Sequence, residues 1–181
     1  MNDARHLPGD RPQDRAVKRM LRVDHAGEYG AARIYAGQLA VLGNSETAPV
    51  LREMQMQEQQ HLDRFADLIV QRRVRPTAML PLWHLAGFAL GAATAALGQR
   101  AAMACTVAVE EAIDAHYAGQ IAELDDHEDD LRNTLVKFRD EELQHRDIGL
   151  NHGAEQAPGY RLLSAAIKTG CKVAIRISEL I

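Results

Sequence analysis

The chain is poor in cysteine, in aromatic residues and in the glycine motifs of nucleotide-binding proteins. Its 181 residues include only two cysteines, Cys105 and Cys171, which are isolated from each other in apolar contexts. We therefore expect buried free thiols in a reducing compartment, without a disulfide framework or a CxxC iron centre. No GxGxxG or P-loop motif occurs in the sequence, which excludes a dedicated nicotinamide-binding or ATP-binding fold.

Charge and composition exclude further classes. The net charge is −4 and no basic stripe is interleaved with aromatic residues, so we expect no nucleic-acid partner. Residues 1–12 are polar and lack an apolar signal core, and we interpret them as a flexible tail of a protein that is not secreted. Aromatic residues make up only 4% of the chain, while Ala, Leu, Gln, Glu and Arg are frequent, which favours helices over strands.

The hydrophobic periodicity and the prolines predict one all-α domain over residues 13–181. The first, second, fourth and fifth helices should form a ferritin-like four-helix bundle, with two additional apolar or amphipathic helices outside it. The predicted helices are 13–42, 47–73, 80–97, 100–124, 128–150 and 158–179.

An internal duplication, 13–73 and 100–150, carries the functional signal. Glu-x-x-His occurs twice, as Glu58/His61 and Glu142/His145. Each copy follows a lone glutamate, Glu28 or Glu110, and each lone glutamate is followed seven residues later by the same Tyr-Ala-Gly-Gln tetrapeptide. The copies are offset by 82 residues at the tetrapeptide and by 84 at the Glu-x-x-His motif. This matched placement is far more specific than the short motif alone.

The spacing indicates a shared site. Turn-rich residues lie midway between the paired motifs, around Gly43 in the first half and Asp126 in the second. Two helical hairpins about these points would return both motifs to one height, about 22 Å from the turns. Four carboxylates and two imidazoles suit two iron or manganese ions inside a bundle. The alternative is surface charges with accidental spacing, which would require six coincident matches.

Two segments predict contact with a membrane surface. Residues 76–99 contain no Asp, Glu, Lys or Arg, yet a helix spanning a bilayer there would separate the two half-sites. We therefore expect the third helix to lie at an interface or on the bundle. In the last helix a basic rim accompanies an apolar stripe of Ile167, Val173, Ala174, Ile177 and Ile181. The basic rim consists of Lys168, Lys172 and Arg176. The alternative is a homo-oligomer that buries both apolar faces.

Three chemistries compete for such a centre. Ferrous ions held by carboxylates reduce O2 by two electrons, which serves iron storage, peroxide reduction or hydroxylation of an organic substrate. The sequence shows no added electron-transfer domain and no signal of a storage cage. The apolar surface favours hydroxylation of a lipophilic substrate, while a rubrerythrin-like peroxidase or a ferritin-like iron-binding protein remains the alternative.

Several stretches resemble the demethoxyubiquinone hydroxylases of ubiquinone biosynthesis. They are RVDHAGEYG at 22–30, RIYAGQ at 33–38, AMACTVAVEE at 102–111, FRDEELQH at 138–145, DIGL at 147–150 and GCKVAI at 170–175. The resemblance covers nearly everything from residue 15 onward. It implies a di-iron monooxygenase that adds a hydroxyl group from O2 to a polyprenyl-methoxy-methyl-benzoquinol.

The resemblance also implies roles for individual residues. Glu28 and His61 would bind one iron ion, Glu110 and His145 the other. Glu58 and Glu142 would bridge the two ions. The resemblance further implies NADH as the ultimate electron donor and a lipid-binding partner protein that presents the quinol. It implies a peripheral position on the cytoplasmic face of a bacterial inner membrane, or on the matrix face of the mitochondrial inner membrane in a eukaryote. The polar N-terminus favours the bacterial position.

Polar neighbours of the ligands are further candidates. Tyr117 and Tyr35 each lie two turns from a lone glutamate and could relay an electron or proton, or bind substrate, although such tyrosines are more often core residues. His116 could handle a proton at neutral pH, or it could be a structural histidine. Asp24 and Asp114 are predicted to orient the ligand imidazoles.

Overall fold

The computed structural model describes residues 12–181, which contain six α-helices and one short 3-10 helix. The predicted tail 1–12 lies outside these residues except for Pro12. The elements are α1 (Pro12–Leu42), α2 (Ala48–Gln71), α3 (Leu80–Ala96), α4 (Gln99–Glu123), α5 (Asp129–Asn151), the 3-10 helix (Ala154–Gln156) and α6 (Tyr160–Leu180). Each predicted helix boundary lies within two residues of the observed one, so the all-α prediction is confirmed; the 3-10 helix was not predicted.

Local chemistry explains where the helices begin. Pro49 and Pro81 lie in the first turns of α2 and α3, where the missing proline N–H costs no intrahelical hydrogen bond. Asp129 and Asp130 lie in the first turn of α5, where carboxylates interact favourably with the helix dipole. Gly98 and Gly159 precede α4 and α6 with φ of 110° and 70°, a backbone region that disfavours side chains.

The bundle consists of two helical hairpins, α1–α2 and α4–α5, whose helices pack against each other within each hairpin. One end of its core is apolar and includes Phe65 from α2, Tyr117 from α4 and Phe138 from α5. The Phe65 and Phe138 rings meet edge to face with centroids 5.5 Å apart, which joins the two hairpins. A second apolar cluster, which includes Leu51, Met54 and the small residues of α4, fills the other end. The polar site lies between these clusters.

The helix α3 packs mainly on α1, and the helix α6 packs mainly on α4. Trp83 on α3 donates a hydrogen bond to Ser178 on α6 (3.1 Å), and Leu90, Leu163 and Cys171 share one apolar cluster beneath them. The helix α3 approaches α1 so closely that a Cβ at Gly91 would collide with the carbonyl oxygen of Ile34. Among the described residues, no helix is both long and apolar enough to cross a membrane.

The predicted apolar stripe of α6 is partly wrong. Ile167 is buried against the bundle, whereas Val173 and Ile181 are exposed, so these residues do not form one face. The basic rim is also engaged locally, because Lys168 forms an ion pair with Glu111 of α4 and Arg176 pairs with Glu179. Hydrophobic periodicity could not separate the side of α6 that faces the bundle from the side that faces solvent, since both carry large apolar residues: Leu163 and Ile167 toward the bundle, Leu162 and Val173 toward solvent.

Candidate metal centre

The structure brings all six predicted ligand residues together in the middle of the bundle. Two groups of side chains each have ligand atoms within 4.8 Å of one another. The group around the first lone glutamate consists of Glu28, Glu58, His61 and Glu142. The group around the second consists of Glu58, Glu110, Glu142 and His145. The groups share Glu58 and Glu142. This is the arrangement that two adjacent metal ions with two bridging carboxylates require.

Burial and unpaired oxygen atoms fit a metal site. All six side chains are at most 1% exposed. Neither carboxylate oxygen of Glu58 has a hydrogen-bond partner among the described residues, and one oxygen of Glu110 is likewise without one. Buried polar atoms without partners are costly, and buried charges are normally paired or bound to a metal. The residues therefore fit two hard or borderline divalent cations.

In the metal-free protein, protons take the place of the cations. Burial and the neighbouring charge of Glu142 raise the pKa of Glu58 and of Glu110 well above the usual range. Burial alone would lower the pKa of His61, but hydrogen bonds to Glu142 and Glu28 raise it to about 11. Although burial opposes its ionisation, the hydrogen bonds from His145 and His61 lower the pKa of Glu142 to about 2. Glu142 is thus the carboxylate of the cluster whose ionised form the two histidines stabilise.

Each buried tyrosine supports a glutamate from the opposite half of the molecule. Tyr35 on α1 donates a hydrogen bond to Glu110 on α4 (2.9 Å). Tyr117 on α4 donates one to Glu28 on α1. Both tyrosines are at most 2% exposed. The two hydroxyl groups therefore orient the two non-shared glutamates, and this cross-over follows the internal duplication.

The outer nitrogens of the two histidines have partners that the sequence did not indicate. Nδ1 of each histidine faces the cluster, with His61 Nδ1 3.1 Å from Glu142 and His145 Nδ1 3.2 Å from the same carboxylate. His61 Nε2 lies 2.9 Å from Glu141, and His145 Nε2 lies 2.5 Å from Gln57. One feature of the sequence could have indicated these partners: Gln57 and Glu141 each immediately precede the glutamate of a Glu-x-x-His motif.

The prediction that Asp24 and Asp114 orient the ligand imidazoles is wrong. Asp24 contacts His116 (3.2 Å) and Gln120 (2.7 Å), and Asp114 forms an ion pair with Arg139 (2.6 Å). Their one-turn spacing places them on the same helix as a glutamate ligand, but it does not place their carboxylates against the ligand histidines.

His116 connects the surface to the interior near the cluster. Its ring lines a cavity of about 330 Å³ between α1, α4 and α6. Although burial lowers the pKa of His116, the hydrogen bond and charge of Asp24 raise it above its usual value. Burial raises the pKa of Asp24 in turn. The pair is thus a buried acid–base couple whose histidine is 19% exposed at the cavity.

A four-helix bundle with a buried carboxylate–histidine cluster defines the class of ferritin-like helical bundle proteins. Within that class, the family model described as "Ubiquinone biosynthesis protein COQ7" matches residues 15–178. The chain belongs to this family.

Curated relatives from distant organisms agree with this assignment. The chain is 58% identical over 174 residues to the 3-demethoxyubiquinol 3-hydroxylase of Rhodospirillum rubrum, covering 96% of this chain and 82% of the relative. It is 56% identical over 168 residues to the mitochondrial NADPH-dependent 3-demethoxyubiquinone 3-hydroxylase of Homo sapiens, covering 91% and 77%. Identity to the mitochondrial 5-demethoxyubiquinone hydroxylase of Saccharomyces cerevisiae is 41% over 180 residues, covering 90% and 77%. The expected family is therefore confirmed, and these relatives are named as enzymes.

Proposed function

We propose that this protein is a di-iron monooxygenase that hydroxylates demethoxyubiquinol, a polyprenyl-methoxy-methyl-benzoquinol, in ubiquinone biosynthesis. The observation that carries the proposal is the buried six-residue cluster in a chain whose relatives are named for this hydroxylation. When bound, two ferrous ions supply the two electrons that O2 accepts in such a reaction.

The ligand roles follow the two overlapping groups. Glu28 and His61 would hold one metal ion, and Glu110 and His145 would hold the other. Glu58 and Glu142 belong to both groups and would be shared by the two ions.

Tyr117 and His116 act around the ligands. Tyr117 orients Glu28 by its hydrogen bond and holds a proton at the phenolic oxygen. His116 and Asp24 exchange protons with water in the cavity between α1, α4 and α6, since the imidazole reaches that cavity and its Nε2 lies 3.2 Å from the carboxylate. This network lies beside Tyr117 and supplies protons on the Glu28 side of the cluster.

The substrate reaches the bundle from a membrane surface. The outer faces of α3 and α6 carry exposed large apolar side chains: Leu82, Leu85, Phe88 and Leu97, then Leu162, Val173 and Leu180. Exposed apolar residues on two adjacent helices form a surface suited to a lipid interface or to a partner that delivers a polyprenyl quinol. We propose peripheral attachment through this surface to the membrane that carries the quinone pool, on its cytoplasmic face in a bacterium or its matrix face in a mitochondrion.

Electrons come from outside the chain. The sequence has no flavin or nicotinamide motif, whereas the name of the Homo sapiens relative specifies NADPH. We propose a reduced nicotinamide as the ultimate donor, which reduces the quinone form of the bound substrate to the quinol by two electrons. Turnover with NADH and with NADPH, each supplied alone, separates the expected donor from the one in the relative's name.

The test is quinone analysis by mass spectrometry in a host that lacks this hydroxylation step. The wild-type chain should restore ubiquinone, whereas Glu142→Gln and Glu58→Gln should leave the demethoxy precursor because each removes a bridging carboxylate. Glu53→Gln, on the exposed side of α2, is the matched control and should restore ubiquinone. If the wild-type chain binds iron but leaves the precursor, the substrate is wrong, and consumption of peroxide without quinol would indicate a peroxidase.

A further inference from the structure

The two halves of the metal centre are built from equivalent residues, which makes any difference between them informative. An offset of 82 residues relates Tyr35 to Tyr117, and an offset of 84 relates Gln57 to Glu141. Each of these four residues crosses to support a ligand in the other half. Tyr35 and Tyr117 are the same residue type, so Glu110 and Glu28 accept the same kind of hydrogen bond.

Gln57 and Glu141 break this match. His61 Nδ1 faces the cluster, so its Nε2 carries the proton and donates to the carboxylate of Glu141 at 2.9 Å. His145 is oriented in the same way, but its Nε2 donates to the amide oxygen of Gln57 at 2.5 Å. A carboxylate acceptor draws the Nε2 proton more strongly than a neutral amide, and the imidazole becomes a stronger metal ligand. The hydrogen-bond acceptors of the two otherwise equivalent histidines therefore differ by one unit of charge.

The surroundings leave this difference in place. The side chain of Glu141 is 26% exposed, and apart from His61 it forms an ion pair with Lys137 on the same helix at 3.8 Å. Lys137 is 66% exposed, and surface ion pairs of this kind are weak because water screens them. The ring of His61 also stacks on Phe138 with centroids 3.9 Å apart, which fixes its direction toward Glu141. The stacking therefore holds the His61 ring in the orientation in which Nε2 faces the Glu141 carboxylate.

We propose that Glu141 and Gln57 are positioning residues that make the two metal positions unequal, so that the Glu28–His61 position binds its metal ion more tightly than the Glu110–His145 position. This inference rests on the proposed metal centre. With iron bound, the more electron-rich Glu28–His61 position also holds the higher oxidation state more readily, because stronger anionic character of a ligand stabilises the ferric ion.

The experiment is titration of the full-length metal-free protein with Co(II), followed by visible absorption. Wild-type protein should bind two ions in two resolved steps. In Glu141→Gln the affinity of the tighter step should fall about tenfold, the usual effect of losing such a hydrogen-bond partner, so that the two steps overlap. Exchange of the pair, Gln57→Glu with Glu141→Gln, should restore two separate steps. These variants retain all six ligands, and thermal unfolding of each checks that the fold is intact.

Single-position backgrounds assign the steps. In His145→Ala, which leaves only the Glu28–His61 position intact, Glu141→Gln should weaken Co(II) binding about tenfold. In His61→Ala, the same change should leave Co(II) affinity within about twofold, because the partner of Glu141 is gone. Equal effects in both backgrounds, or two steps that are unchanged in Glu141→Gln, would overturn the inference. Failure of wild-type protein to bind two ions would instead overturn the proposed centre.

Discussion

At the scale of single residues, the site is a buried cluster of carboxylate and imidazole groups. Burial opposes their charged forms, and bound protons stabilise the cluster when no metal ion is bound. Burial raises the pKa of Glu58 and of Glu110, and hydrogen bonds that outweigh burial raise the pKa of His61 to about 11, so these groups favour their protonated forms more than usual. Against the effect of burial, hydrogen bonds from the histidines lower the pKa of Glu142 to about 2. Metal ions replace these protons and need deprotonated ligands, so binding of metal and release of protons are linked.

The linkage predicts how metal affinity depends on pH. Since His61 must lose a proton that it holds below about pH 11, and Glu58 and Glu110 must lose theirs, affinity should rise with pH across the neutral range. We expect about two or more protons released for each pair of metal ions at pH 7. Calorimetric titration with Zn(II) in buffers of different ionisation enthalpy counts them. An affinity that is flat with pH would show that the free site is already deprotonated.

Tyr117 is expected to matter through its hydroxyl group alone. In Tyr117→Phe, Glu28 loses its hydrogen-bond donor, and we expect turnover to fall about tenfold or more while metal content is retained. Tyr35→Phe is the matched comparison, since Tyr35 makes the equivalent bond to Glu110 without His116 and Asp24 nearby, and it should lose less. Unaltered turnover in Tyr117→Phe would exclude a relay through this residue.

The sequence predicted the six clustered residues because duplication and helical spacing constrain them twice. It did not predict Gln57 or Glu141, because their partners lie on a different hairpin and no local pattern joins them. Asp24 was misassigned for the same reason: its spacing from Glu28 was visible, but its partner His116 lies 92 residues away. Contacts within a helix are readable from spacing, whereas contacts between hairpins depend on how the helices are rotated against each other.

At the scale of helices, the close contact of α1 with α3 holds the apolar helix on the bundle. A Cβ at Gly37 would collide with the carbonyl oxygen of Phe88, and one at Gly91 with that of Ile34, so backbone meets backbone at both points. The sequence showed glycines in both helices but not that they face each other. The uncharged composition of α3 is therefore explained in part by packing on α1 and in part by its exposed outer face.

Gly91→Ala should separate α3 from α1. Backbone atoms cannot move aside cheaply, and we expect a loss of about 1–3 kcal/mol in the free energy of unfolding. Gly170→Ala on α6 is the control, because a Cβ there meets nothing within 4 Å, and it should stabilise the protein by about 0.5–1 kcal/mol. Thermal and urea unfolding of both variants measures the difference. Equal stability of the two variants would contradict the close packing.

At the scale of the whole molecule, α3 and α6 give the bundle one apolar side. The opposite hairpin helices carry mostly polar exposed residues, with Met56 and Val70 on α2 and Val136 on α5 as exceptions. A protein with one such side is suited to lie on a surface with its metal cluster above a lipid-dissolved substrate.

The apolar side formed by α3 and α6 predicts that the protein binds lipid vesicles through that side. Wild-type protein should float with vesicles that contain ubiquinone, whereas Leu82→Glu/Leu85→Glu should stay in solution, because both side chains are exposed on α3. Val70→Glu/Val136→Glu introduces the same charge at exposed positions of α2 and α5 and should float like the wild-type protein. If the α3 variant floats equally well, or if the wild-type protein forms a dimer that the α3 variant disrupts, the apolar side is an interface between copies instead.

The most direct test of the proposed function is the origin of the oxygen atom in the product. Protein loaded anaerobically with Fe(II), mixed with a short-chain demethoxyubiquinol and exposed to 18O2, should yield a hydroxylated quinol that carries one 18O atom. The same protein with Glu142→Gln should yield none. Product without 18O, or oxidation of Fe(II) with no hydroxylated product, would contradict an O2-dependent monooxygenase at this cluster.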